Sequence, residues 1–484
     1  GLPSYDVVGL ADLAIKESKA RVKSAIQNSG YKYPIHKIII NLAPADTKKE
    51  GSMYDLPIAL AILTASEEIP KEKLKNFVVL GELSLDGEVR KLNGILPMII
   101  SAKQMGFKKF IIPSENSMEA SYIDDIEVYA VSTLKDTVQF LKGEKEIERL
   151  KVKSFESALS ERTYKNDFAY VKGQVSAKRA LEIAAAGGHN ILLIGPPGSG
   201  KTMLAKCFPS ILPDMTFEES LEVTKIHSVA GLIDSQKGIV VERPFRSPHH
   251  TATLIALTGG GTKAKPGEIS LAHNGVLFLD EMPEYARNTI ETLRQPMEDG
   301  YITVSRNANT VQYPASFILV ASMNPCPCGY YGNGTDQCKC SPTAIHNYLN
   351  KISGPLMDRI DLHIEVDSVK YEDLSDDRLE EKSADIKKRV DKARKIQLER
   401  FKDTNIYSNS KMGEKEFKKF CKLDTSCTDL VEMAFRKLNL SARAYNRILK
   451  VARTIADLDG KENIEKQHIL EAIQYRTLDK KYKV

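Results

Sequence analysis

No apolar run in the 484-residue sequence approaches the roughly 18 residues that a bilayer-spanning helix needs. Runs such as Ile191–Ile194 and Phe317–Ala321 stop at strand length, which excludes a helical membrane protein. No secretory signal precedes the first strand, although the chain begins at Gly1 rather than at a methionine, and the expectation is a cytoplasmic location. A dominant charge of one sign is also missing. The 69 Lys and Arg against 64 Asp and Glu leave a formal +5, so composition alone does not make a nucleic-acid binder and local patches must carry that case. Internal repeats and low-complexity tracts are absent. With 42% hydrophobic residues the chain has enough apolar material for sizeable cores, and its length predicts a globular protein of several domains. Cysteine is scarce: four of the seven crowd into Cys326-Pro-Cys328 and Cys338-Lys-Cys340, a pattern that favours metal over disulfides in a cytosolic chain.

What is present is chemically specific. The stretch Gly195-Pro196-Pro197-Gly198-Ser199-Gly200-Lys201-Thr202 follows the apolar run Ile191–Ile194 and precedes Met203–Phe208, which reads as a helix. Strand, glycine loop and helix together form a phosphate cradle. The glycines let backbone N–H groups face the phosphates, Lys201 reaches the terminal ones, and the Thr202 hydroxyl can ligate Mg2+. A second buried-strand run, Gly275–Leu279, ends in Asp280 and Glu281. Asp280 is placed to hold Mg2+ and Glu281 to polarise an attacking water, whereas without the glycine loop the same pair would read as an acidic turn.

Residues 1–142 alternate short β runs (37–42, 77–80, 109–113, 126–130) with helical patterns (10–28, 54–66, 95–105), predicting a compact α/β domain. The charged stretch 143–167 reads as a linker, 168–370 as the nucleotide-binding α/β core, and 371–484 as a helical domain. Within the core two stretches look like insertions. One is the glycine-rich, lysine-bearing 258–267, carrying Lys263 and Lys265. The other, 301–314, has two alternating runs around a polar turn with Arg306 and Asn307, hence a β-hairpin. Both tips should project. Such groups suit phosphate contacts that grip a DNA strand without reading bases, the alternative being solvated lysines on ordinary loops. Neither tip carries an aromatic, which argues against base stacking.

Cys326, Cys328, Cys338 and Cys340 match the four-thiolate count of structural Zn2+, with reduced thiols in a loop or an occasional disulfide as the other reading. Adjacent His249 and His250, in an extended segment, should point to opposite sides and shape a loop rather than chelate.

The stretches 245–250 (Phe-Arg-Ser-Pro-His-His), 266–281, 293–300, 323–329 (Met-Asn-Pro-Cys-Pro-Cys-Gly), 353–361 and 452–457 resemble the magnesium-chelatase-like AAA+ family of the ComM/YifB type, and the similarity spans essentially the whole chain. The resemblance implies a Lon-protease-like (S5-like) N-terminal domain, an AAA+ core with β-hairpin inserts and a C-terminal helical lid. It places Asn324 at sensor 1, Arg359 at the arginine finger supplied to a neighbour, and Arg443 at sensor 2. An ion pair with Asp358 or Asp361 is the plainer role for Arg359. Gly173 and Gln174 match the segment that cradles adenine, so ATP is implied as the nucleotide. In the Lon-like domain the alignment puts Met53 where the nucleophilic serine would stand and Leu96 where the lysine would, with Ser52 one place early, so the peptidase chemistry is expected to be lost.

The family further implies a homo-hexameric, ATP-driven helicase that promotes branch migration on single-stranded or branched DNA in natural transformation, alongside recombination proteins. Two rivals remain: a chelatase motor subunit, and a protein-remodelling AAA+ machine, whose pore loops usually present an aromatic.

Overall fold

The computed structural model describes residues 4–160, 162, 164–261, 264–306, 309–332, 337–368, 378–404, 406–438 and 440–478, with backbone alone at 305, 306 and 309. The chain divides into two compact units, one within Gly1–Arg162 and Phe217–Val241, the other within Thr163–Thr216 and Glu242–Val484.

In the first unit, β1 (Tyr5–Val8) pairs in parallel with β2 (Ile38–Asn41). Strands β3 (Phe77–Val79), β6 (Lys109–Pro113) and β7 (Glu127–Val131) form a parallel sheet in that order, and β4 (Glu82–Leu83) and β5 (Val89–Arg90) a short antiparallel pair. Helices Leu13–Asn28, Asp55–Ala65 and Ile95–Gln104 fall where apolar spacing placed them. The first starts at Asp12, whose carboxylate accepts from the Ile15 amide at 2.9 Å, and turns Ile15, Val22, Ala25 and Ile26 into a core with Leu56, Leu60 and Leu63.

Sequence spacing puts the helix Phe217–Ala230 inside the nucleotide core, but it belongs to this first unit. It packs on helix Ile95–Gln104, and buried Ser228 donates to Glu119 at 2.7 Å. The stretch 143–167, expected as a plain linker, carries a short helix, Phe155–Ser160, whose Phe155 meets Phe217 edge-on at 5.5 Å.

The second unit is built on a five-stranded, all-parallel sheet in the order β16-β8-β15-β12-β9, where β8 is Ile191–Ile194, β9 Phe245–Arg246, β12 Val276–Leu279, β15 Ile318–Met323 and β16 Leu362–Glu365. The central strands are apolar on both faces because helices cover both, as a parallel sheet requires. Helix Val175–Gly187 and the C-terminal helices Ser383–Arg400, Thr425–Leu438 and Ala442–Leu458 share one core with β8. The last begins at Ser441, which caps the Ala444 amide at 3.2 Å.

Both expected inserts are present. Strands β10 (Gly259–Gly260) and β11 (Lys265–Pro266) pair antiparallel, as do β13 (Tyr301–Arg306) and β14 (Asn309–Pro314). Ile302 and Val304 anchor the hairpin base in the core, and the Tyr313 hydroxyl donates to the Ala264 carbonyl at 2.7 Å, so the two inserts lean on each other. Among the described residues no helix is long and apolar enough to cross a membrane.

Candidate nucleotide and metal sites

The parallel sheet delivers three loops to the carboxyl ends of neighbouring strands β8, β15 and β12, the edge where open α/β sheets bind ligands. Gly198 and Gly200 adopt φ of +76° and +91°, a region that an L side chain resists, and both have open space where a Cβ would stand. The loop can therefore fold tightly and still admit phosphates. Lys201, 9% exposed, donates to the Gly195 and Pro196 carbonyls at 2.7 and 2.8 Å and lies 3.3 Å from Asn324 Oδ1. Burial pulls its ammonium below the ordinary lysine value, while Asp280 and Glu281 act in the opposite direction.

The Thr202 hydroxyl donates to Asp280 Oδ2 at 2.8 Å, so two hard oxygen donors sit side by side, the donor class that Mg2+ prefers. Buried Ser322 on β15 donates its hydroxyl to Asp280 Oδ1, and the same oxygen accepts from the Glu281 amide at 3.0 Å. One hydroxyl thus ties the two acids together. Glu281 holds φ of +52°, an uncommon conformation for a side chain other than glycine, and remains exposed. Gln174 also takes the left-handed conformation and donates to the Ser199 and Asp367 carbonyls at 3.2 and 2.6 Å, holding the segment with Gly173 over the glycine loop.

Of the two arginines assigned by resemblance, Arg359 is 3% exposed. Its Nη2 stands 2.5 Å from Glu298 Oε1 and its Nη1 donates to the Pro355 carbonyl at 2.6 Å. Arg443 is exposed and lies 3.8 Å from the same Glu298 oxygen. These charges hold the Glu298 carboxyl below its ordinary value, the Arg359 hydrogen bond first. Asp361 is engaged by Arg447 and lies 3.6 Å from His189, so its carboxylate is already committed.

The four cysteines converge, their sulfurs all within 4.8 Å of one another. Two separations, 3.8 Å (Cys326 to Cys338) and 3.7 Å (Cys328 to Cys338), match the about 3.8 Å edge of a tetrahedron with Zn–S bonds of about 2.3 Å, and the third, 3.3 Å (Cys326 to Cys328), is shorter. Without an ion the cluster carries its negative charge on one sulfur: a hydrogen bond from the Tyr330 backbone leads the effects that bring the Cys328 thiol down to about 6, while its neighbours raise Cys338 and push Cys340 up to about 11. The donor set fits Zn2+. In the same loop Gly329 adopts φ of +87°, and a Cβ there would overlap the Pro197 ring of the glycine loop.

Of the residues proposed at the DNA-gripping tips, Lys265 is exposed on β11. Lys263, Asn307 and the Arg306 side chain lie outside the described residues. The expectation that His249 and His250 point apart is corrected: their ring centres lie 4.1 Å apart, with the planes tilted by 34°. The segment is a turn, closed by the Ala252 amide donating to the His249 carbonyl at 2.8 Å, and is not extended. In the first unit, Ser52 donates its hydroxyl to Glu82, Met53 packs against a core and Leu96 is buried.

Sequence reasoning did not single out Ser322 or Glu298. Ser322 lies in an apolar strand, one residue before the Met323 that opens a motif read only for its asparagine and cysteines, and Glu298 lies in a charged helix end where nothing marks it as a partner of Arg359, far along the chain.

Comparison with known proteins bears on the whole chain. Residues 167–374 match the family described as magnesium chelatase, subunit ChlI, residues 380–476 its C-terminal part and residues 1–116 the family described as subunit ChlI of Mg-chelatase. The competence protein ComM of Haemophilus influenzae is 46% identical over 99% of this chain and 93% of its own length. YifB of Escherichia coli is 45% identical over the same shares. Lon protease 2 of Bacillus subtilis is 35% identical over a shorter stretch, 25% of this chain and 22% of that protein.

Proposed function

The chain belongs to the magnesium-chelatase-like AAA+ family that includes ComM and YifB, and on that footing we propose that it is an ATP-hydrolysing ring motor that moves DNA, serving branch migration during recombination of incoming strands. The observation that carries the ATPase part is the convergence of Lys201, Thr202, Asp280 and Asn324 at one sheet edge, with Glu281 fixed beside Asp280 through Ser322.

In this reading the glycine loop wraps the triphosphate and Lys201 exchanges its two carbonyl contacts for phosphate oxygens. Gln174 and Gly173 line the adenine side. Mg2+, held by Thr202 and Asp280, would neutralise charge developing on the phosphates. Glu281 accepts a proton from the attacking water, Asn324 orients that water, and Arg359 of one protomer completes the pocket of the next. The Zn2+ that fits the cysteine set would be structural, with all four coordination places filled by protein.

Support for DNA as the cargo comes from ComM, a competence protein by name, and from the two inserts that lean together and carry Lys265 outward. The Lon-like first unit serves as a non-peptidase platform in this reading, with Ser52 spent on Glu82 and Leu96 at the expected base position. Rings of six, a cytoplasmic location and recombination proteins as partners complete the proposal.

The test is ATP turnover measured alone, with single-stranded DNA, with duplex or branched DNA and with an unfolded protein. Stimulation by DNA that falls steeply with salt is expected; stimulation by polypeptide alone overturns the DNA motor. A second reading, a chelatase motor subunit, is favoured by the ChlI matches along the chain, and predicts turnover indifferent to both polymers.

A further inference from the structure

The helical part of the second unit holds a cleft of about 760 Å³ that no step of the nucleotide chemistry uses. Its floor is a charged cluster. Asp457, fully buried, accepts from Arg400 Nη1 and Nη2 at 2.7 and 2.5 Å, from Arg453 Nε at 3.1 Å and from Asn409 at 2.7 Å. Two guanidiniums that stay protonated at any physiological pH therefore share one carboxylate, and the floor keeps an uncompensated positive charge. Arg453 is 3% exposed and donates to the Glu462 and Lys461 carbonyls at 2.6 Å each, which fixes the loop forming one wall.

The rim adds charge of the same sign. Lys395, Lys419, Lys422 and Lys461 line it, against Glu399 and Glu462. Lys461 lies 3.4 Å from Glu465, while Lys395, Lys419 and Lys422 have no carboxylate partner among the described residues. Six cations thus line the cleft against two lining carboxylates, and counting Asp457 beneath and Glu465 beside Lys461 still leaves two positive charges in excess. Phe420 lies at the edge with the Lys419 ammonium 4.9 Å and the Arg400 guanidinium 5.6 Å from its ring centre, an arrangement that keeps both cations poised beside a flat apolar face.

Concentrated cations in a concave, partly desolvated site favour a multivalent anion over monovalent salt, because each phosphate bound releases counterions and the low-dielectric floor screens little. We propose that this cleft binds closely spaced phosphate groups, those of a nucleic-acid backbone, as a second contact apart from the two insert tips. The occupant rests on the DNA reading above; the phosphate chemistry rests on the charges.

The test uses the full chain in a Lys201→Ala background, so that the glycine loop does not contribute, and compares the rim triple variant Lys395→Ala/Lys419→Ala/Lys422→Ala with the triple Arg replacement at the same positions. Binding of a labelled oligothymidylate of about 30 nucleotides is followed by anisotropy between about 50 and 200 mM salt, and binding of tripolyphosphate by calorimetry. The Ala triple is expected to weaken oligonucleotide binding about tenfold and to make the log–log salt slope shallower by about two, at roughly 0.7 for each phosphate no longer neutralised, while the Arg triple binds within about twofold of the parent. Unchanged affinity for both probes in the Ala triple overturns the proposal. Loss of tripolyphosphate binding with oligonucleotide affinity intact overturns the nucleic-acid occupant. A parent that binds tripolyphosphate through these lysines but no oligonucleotide likewise overturns the nucleic-acid occupant, while the motor reading is decided separately by the turnover test above.

Discussion

Glu298 receives Arg359 Nη2 at 2.5 Å and stands 3.8 Å from Arg443, so a single carboxylate gathers both arginines proposed to act in ATP hydrolysis. In the isolated chain Arg359 is inside the protein and spoken for, with only Nε lacking a partner. To serve a neighbour it must leave Glu298.

Arg359→Ala should reduce turnover of the assembled protein by about 10³-fold or more, the scale of a lost arginine finger. Glu298→Gln should raise turnover severalfold if the carboxylate restrains Arg359, and lower it if the carboxylate aims it; steady-state rates at saturating ATP decide between these. The pH dependence is independent of that outcome. The folded Glu298 carboxyl titrates below its ordinary value near 4.5, so its stabilising contribution is complete above that value and is lost as pH falls through the folded one. Glu298→Gln should flatten that acid limb of a melting-temperature profile.

Glu281→Gln should leave ATP binding intact and reduce hydrolysis by about 10² to 10⁴-fold, the usual contribution of a positioned general base. A fluorescent nucleotide titration beside a phosphate-release assay separates the two effects; equal loss of both would remove Glu281 from the chemistry.

Ser322→Ala removes the hydroxyl that joins Asp280 to the Glu281 amide and leaves both without that partner, at a cost of about 1–3 kcal/mol. The expected signature is a rise in the Mg2+ concentration needed for half-maximal turnover together with a lower kcat. Ser322→Thr, which keeps the hydroxyl, should recover part of both.

Freshly purified protein should carry about one equivalent of Zn2+ by elemental analysis, and Cys328→Ser together with Cys340→Ser should lose it. Acidification should release the metal as the thiolates take up protons, and thermal stability should fall in the same range.

The phosphate loop and the acids at 280 and 281 were legible because each is a contiguous run whose chemistry depends on local order. The hairpin at 301–314 announced itself by alternation around a polar turn, and the cysteines by number and spacing. What stayed hidden depends on distance in space. Ser322 looks like one more strand residue until β15 is laid beside β12, and Glu298 acquires a meaning only when residue 359 is brought to it. The membership of 217–241 in the first unit was equally invisible, since its helical pattern suits a core helix of either unit. The side-by-side rings of His249 and His250 stayed hidden because an extended backbone is expected where a hydrogen-bonded turn exists.

Gly329 has no side chain at the point where the Pro197 ring lies, which lets the cysteine knuckle rest directly on the loop that must receive the triphosphate. If the four thiolates hold a metal as proposed, its chelation or their oxidation would slacken that support from behind, and nucleotide affinity would then follow the metal supply and redox state of the surroundings.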